Sequence, residues 1–271
     1  MNVNRGIFMT IIGLSFSILC CGTVDAHTMW LNCTDFYPNL GPDHKGHTIV
    51  YFGWGHRYPV DDFMTDKLLG ELALVDPNGE KKVLTAGKGG FRATELTLDS
   101  EGGWIVTASL KPSFYTMYMD KGQIHHKIGP KTGLENVLVS LYYEQYAKAL
   151  ISVGDIQGES FLKPIGHKIE IIPLENPCKL HGCAGHFLPV KVLFDGRPAR
   201  YCKVYATYAG FSTEEDFAYA TSTNGEGIAK IRLIHWGPWL IKAELRLPAS
   251  EELKDECNGL HYSATLTFEI K

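Results

Sequence analysis

Six of the eleven histidines fall within the first 126 positions: His27, His44, His47, His56, His125 and His126. Imidazole nitrogens suit nickel, cobalt, copper and zinc. Two of these residues sit in informative surroundings. His56 follows Phe52-Gly53-Trp54-Gly55 and precedes Asp61 and Asp62. His27 follows Val24-Asp25-Ala26, whose small residues at −3 and −1 have the form of a signal-peptidase site. Cleavage after Ala26 would leave histidine as the first residue. Its α-amine and its own Nδ1 could then close a chelate ring on one cation. Joining two donors covalently removes most of the entropic cost of recruiting the second. An α-amine, with a reference pKa of about 7.7–8.0, yields its proton readily to a metal near neutrality.

His27 and His56 are therefore the expected ligands, with one of His44, His47, His125 or His126 completing the site. Each has a blander reading. His44 and His47 in GPDHKGHT, and His125 and His126 in QIHHKI, equally describe solvated polar loops. His56 could be a turn histidine bonded to a carbonyl, and Asp61 and Asp62 could cap that turn. A second cluster, Cys178, His181, Cys183 and His186 in NPCKLHGCAGHF, has donors for a tetrahedral thiophilic metal. In an oxidising compartment a Cys178–Cys183 disulfide competes with that reading. Cys202 with Cys257 is a weaker candidate pair. Trp30, Trp54, Trp104, Trp236 and Trp239 fit core packing better than ligand stacking.

The elements that must position these groups are mostly strands. Residues 7–21 are apolar after Arg5 and too short for a bilayer span of about 20 residues, so 1–26 reads as an export signal. Beyond it, short runs rich in β-branched and aromatic residues occupy 48–54, 70–75, 91–98, 104–110 and 114–119. Residues 134–149 are expected to be helical or irregular, feeding a strand at 147–153. A second unit starts near Gly166, with strands expected at 167–173, 187–194, 199–208, 217–222, 227–233, 238–247 and 261–270. Asp195-Gly196 and Asn224-Gly225 mark hairpin turns. The expectation is an all-β chain of two packed β-sandwich units, 27–165 and 166–271, with at most one or two short helices.

Composition narrows the function. Acidic residues outnumber Lys and Arg 30 to 26, so the counterion release that drives general nucleic-acid binding is not available. No zinc-protease HExxH, serine-hydrolase GxSxG, phosphate loop or dinucleotide fingerprint is present.

The start Ala26-His27-Thr28-Met29-Trp30-Leu31 and the segment Phe52-Gly53-Trp54-Gly55-His56-Arg57-Tyr58 resemble exported proteins of the DUF4198 family. Further likeness lies in Tyr146-Ala147-Lys148-Ala149-Leu150-Ile151, in IEIIPLENP (169–177) and in LPVKVLFDGR (188–197). Those proteins are usually described as the periplasmic component of cobalt or nickel ABC transport systems. The resemblance implies a periplasmic, non-enzymatic carrier of nickel or cobalt that delivers to membrane transporter components. Copper and zinc also lie within the ligand preference. It carries the metal roles onto His27 and His56, and places the Cys178–His186 cluster outside the shared pattern. The second unit also looks like immunoglobulin-like or transthyretin-like accessory domains. Two other functions fit less well: a copper-dependent oxidative enzyme with an N-terminal histidine, and a metal-free exported interaction module.

Overall fold

The computed structural model describes residues 27–154, 158–181 and 185–271. The first half forms β1 (Thr28–Cys33), β2 (Gly46–Gly55), β3 (Leu69–Val75), β4 (Lys81–Val83), β5 (Thr94–Leu98), β6 (Gly102–Leu110), β7 (Ser113–Asp120), β8 (Gln123–Ile128) and β9 (Val137–Val153). The second forms β10 (Ile169–Pro173), β11 (Phe187–Phe194), β12 (Arg197–Pro198), β13 (Lys203–Tyr208), β14 (Tyr219–Ser222), β15 (Ile228–Arg232), β16 (Gly237–Pro248) and β17 (Gly259–Ile270). Among the described residues the helices are two 3₁₀ turns, Glu159–Leu162 and Pro177–Lys179.

One sheet runs through both halves, in the order β14-β13-β16-β17-β9-β6-β3-β4, with the β7–β8 hairpin attached to β9. The halves join where β17 lies parallel to β9, from Gly259↔Leu141 to Thr267↔Ala149. Smaller sheets cover opposite faces of this layer. The sheet β1-β2-β5 closes a core of Met29, Leu31, Phe52, Val106, Ala147 and Ile151. The sheet of β10, β11, β12 and β15 closes another, with Leu150, Ile171, Val190, Trp239 and Phe268. The chain is thus an all-β, sandwich-like protein with two cores back to back.

Strand β9 corrects the helical expectation for 134–149. Its side chains alternate, Ala147, Ala149 and Ile151 facing one core and Leu150 the other. Only a period of two can serve two faces of a sheet. Propensity read along LENVLVSLYYEQYAKA could not register that both faces would be covered. Strand β8 likewise replaces the loop expected around His125 and His126. Cys202 and Cys257 are both unpaired, which corrects their suggested bridge. Each thiol instead lies against a carbonyl oxygen, Cys202 Sγ at 3.1 Å from Glu244 O and Cys257 Sγ at 3.5 Å from Leu253 O.

A polar group is built into the second core. Lys148, 1% exposed on β9, meets Glu170, 1% exposed on β10, at 2.8 Å. Glu170 also accepts the backbone N–H groups of Ile165 and Gly166, at 2.8 and 3.1 Å. Burial raises the Glu170 carboxyl, but the Lys148 ammonium and these N–H donors outweigh it and hold the pKa below the usual range. The connection between the halves is therefore fastened to this carboxylate.

His167 lies beside the pair, its Nε2 2.6 Å from Thr107 Oγ1. Burial first, and the Lys148 charge second, push its pKa down to about 4. A folded-state value below the unfolded one means His167 stabilises the fold fully above about pH 6.5 and progressively less as pH falls toward 4. Urea melts should therefore show a loss on the order of 3 kcal/mol over that window. The His167→Gln variant should lack that part of the slope. A variant slope equal to the wild type's would exclude His167 as its source.

Candidate metal-binding site

His27 and His56 come together because β1 and β2 are antiparallel neighbours. Thr28 pairs with Gly55, so the residue before β1 and the residue after β2 meet at one edge. Their ring centroids stand 4.7 Å apart, and Trp54 lies 5.4 Å from the His27 ring. Gln145 on β9 clamps the start of β1, donating from Nε2 to His27 O at 2.7 Å and accepting from Met29 N–H at 2.9 Å. The head of β1 is thereby tied to the central sheet.

The Gly-Trp-Gly-His segment is dictated by close approach. A Cβ on Gly53 would sit 1.9 Å from the Trp30 indole Nε1. Gly55 has φ +130°, and a Cβ there would fall 2.3 Å from Asp61 Oδ2. A side chain at Gly53 would have to displace the Trp30 indole, and one at Gly55 the Asp61 carboxylate that closes the loop carrying His56. Asp61 closes that loop: its Oδ2 accepts His56 N–H at 2.7 Å and Arg57 N–H at 3.2 Å, while Oδ1 accepts Arg57 Nε at 2.8 Å. Burial raises the Asp61 carboxyl, but these donors prevail and hold it below the ordinary carboxylate range. Beyond it, Trp30 Nε1 and Asn32 Nδ2 both donate to Pro59 O at 3.0 Å. Tyr58 packs with Trp30 and Leu240.

Desolvation and the neighbouring His56 lower the His27 pKa, with Asp62, Asp61 and Glu215 opposing them. The balance favours the neutral ring, the form in which an imidazole binds a metal. Glu215 escaped the sequence reading. It belongs to the β13–β14 connection, roughly 160 positions from His56, yet its Oε2 lies 4.0 Å from His56 Nδ1. Nothing in the local pattern of STEEDF announces that contact. Thr28, Trp30, His56, Glu215, Phe217 and Lys242 together line a small cavity beneath His56.

The other candidates sit elsewhere. His47 begins β2 and His56 follows its end, so nine residues at about 3.3 Å each separate them by about 30 Å. His44 lies in the exposed turn before β2 with φ 58°, and His47 Nε2 is 3.0 Å from Asp43 Oδ2. On β8, His125 stacks on Tyr118 and His126 Nδ1 meets Tyr115 Oη at 2.5 Å. Register through β7 sets His126 level with Val139 of β9, about 20 Å along the strand from Gln145. The structure brings neither pair to His27 and His56. Asp62 Oδ1 accepts Phe63 N–H at 2.7 Å.

In the second cluster, burial raises the Cys178 thiol to about 11, while His181 and His186 are exposed. Cys183, and with it the suggested Cys178–Cys183 bridge, lies outside the described residues. Among the described residues no three His, Cys, Asp or Glu side chains form a ready-made cage for a metal. Of the tryptophans, Trp30, Trp54, Trp104 and Trp239 are buried, and Trp236 is 58% exposed.

These features define an all-β sandwich protein with two imidazoles paired at a strand edge beside a carboxylate. The chain belongs to the DUF4198 family, a domain of unknown function, whose profile matches residues 24–247. Comparison with curated proteins finds no match. Among solved structures, a tetra-tandem repeat in the extending region of a large adhesion protein is similar at 10% identity and a TM-score of 0.24. That alignment covers 91% of this chain and 74% of the other. A likeness this faint adds nothing to the architecture read from the strands.

Proposed function

We propose that the exported, processed protein captures a divalent transition metal, nickel or cobalt, in the periplasm and passes it to a membrane transporter. The His27 α-amine, the His27 imidazole and the His56 imidazole are the donors. The observation that carries this reading is the pairing of the two rings, 4.7 Å apart, at the edge of β1 and β2. Two nitrogens each about 2.0–2.1 Å from one cation stand at most about 4.2 Å apart, a separation within reach of these rings by side-chain rotation. With two side chains at the site, the third donor on this reading is the amine that cleavage after Ala26 would release. Copper outranks nickel and cobalt at most N/O sites, so supply and geometry select the cargo. In this reading the protein makes and breaks no bonds of a substrate.

The test is to sequence the N-terminus of the exported protein by mass spectrometry and titrate it with Ni²⁺ against a chromophoric chelator. One Ni²⁺ per chain is expected, with affinity at least about tenfold weaker in His56→Ala, the loss of one of three donors. Failure to hold Ni²⁺, Co²⁺, Cu²⁺ or Zn²⁺ against dilute chelator would overturn the reading, as would equal affinity in His56→Ala.

A further inference from the structure

We propose that Glu215 is a positioning residue for the His27–His56 site: its carboxylate accepts a hydrogen bond from His56 Nδ1–H and leaves the Nε2 lone pair for the cation. The inference rests on the metal reading above and assigns part of that site to the second half of the chain.

The geometry singles out Glu215 among the carboxylates at this edge. Asp61 is committed to the His56 and Arg57 backbone N–H groups and to the Arg57 guanidinium. Asp62 accepts from Phe63 N–H. Glu215 Oε2 stands 4.0 Å from His56 Nδ1, and its side chain is 67% exposed, so a rotation brings it within hydrogen-bond distance. The nearby cations have partners of their own: Arg57 holds Asp61, and Lys242 Nζ lies 2.5 Å from Glu244 Oε1. Among the described residues, the ion pair that Glu215 makes is with His56.

Neutral imidazole has one N–H and one lone pair, and a hydrogen bond at one nitrogen decides which face is the donor. An acceptor at Nδ1 fixes the ring with Nε2 as the ligand atom and raises its basicity. Without it, the tautomer and the ring rotation must both be selected when the cation arrives. His56 then has two supports from different parts of the chain: Asp61 holds its backbone, and Glu215 its ring.

The experiment uses the processed protein labelled with ¹⁵N-histidine, with Zn²⁺ as the diamagnetic probe. In the metal-free wild type, His56 should be the Nδ1–H tautomer by its ring ¹⁵N shifts. Glu215→Ala should move it toward Nε2–H and weaken Zn²⁺ binding 10- to 100-fold. Glu215→Gln keeps an acceptor oxygen and should restore most of both. Unchanged tautomer or unchanged Zn²⁺ affinity in Glu215→Ala would overturn the proposal, and so would a Gln variant that behaves like the Ala one, since charge alone would then be acting. If the wild type retains neither Zn²⁺ nor Ni²⁺, Co²⁺ or Cu²⁺, the site reading falls and this proposal with it. If the wild type binds and Glu215→Ala binds equally, this proposal alone falls.

Discussion

One extra residue ahead of His27, added to the processed protein, should weaken Ni²⁺ binding by at least about 100-fold, or about 2.7 kcal/mol. The added peptide bond turns the α-amine into an amide, which does not bind a cation without losing a proton it holds tightly. Two of the three proposed donors sit on His27, and their chelate ring needs no separate recruitment. Breaking that ring leaves two independent imidazoles, and the loss of linkage alone is of the order of 10²–10⁴ in binding. The fold should be untouched, because β1 begins at Thr28 and the Gln145 clamp holds the His27 carbonyl and the Met29 N–H rather than the amine. Thermal melting of the extended protein should therefore coincide with that of the parent. Equal Ni²⁺ affinity in the two proteins would remove the N-terminal chelate from the account, leaving at most a two-imidazole site.

The largest effect on stability is expected at Lys148→Ala, about 3–5 kcal/mol. Lys148 and Glu170 are each 1% exposed, so the substitution leaves a carboxylate facing a cavity inside the second core. Two backbone N–H donors remain, from Ile165 and Gly166, but the balancing positive charge is gone. The cost arises from the stranded charge more than from the lost attraction, because a buried pair gains little over apolar residues of the same shape. That gives the prediction a sharp form. Lys148→Met combined with Glu170→Gln should recover at least half of the loss, since the glutamine carbonyl still accepts from the connecting loop while no charge is left unpaired. Chemical denaturation of the three proteins reads this directly. A Lys148→Ala protein within about 1 kcal/mol of wild type would show that the pair is not buried as described.

Lys148 and Glu170 also show how a sequence pattern and its physical cause can lie far apart. The likeness to the family included YAKALI and IEIIPLENP, and the pair draws one partner from each. Nothing local says that a lysine between two alanines faces inward. That follows only when β10 is laid across β9, which is a fact of the sheet order.

Much of the strand layout was legible because alternation is a local property. The runs at 48–54, 70–75, 104–110 and 187–194 became β2, β3, β6 and β11 with small changes at their ends. The β-rich class followed from them, and so did the interest of His27 and His56, each marked by its neighbours in the chain. Residues 134–149 were misjudged because a strand covered on both faces loses its polar alternation, and the covering comes from elsewhere in the chain.

What the amino-acid order alone determined is the donor inventory and the strand periodicity. The tertiary structure decided which donors meet. Antiparallel pairing set His27 against His56, the length of β2 carried His44 and His47 to its far end, and the continuous sheet delivered Glu215 from the other half. Spacing along a chain measures contour, and proximity in a sheet depends on which strands are neighbours and in what register.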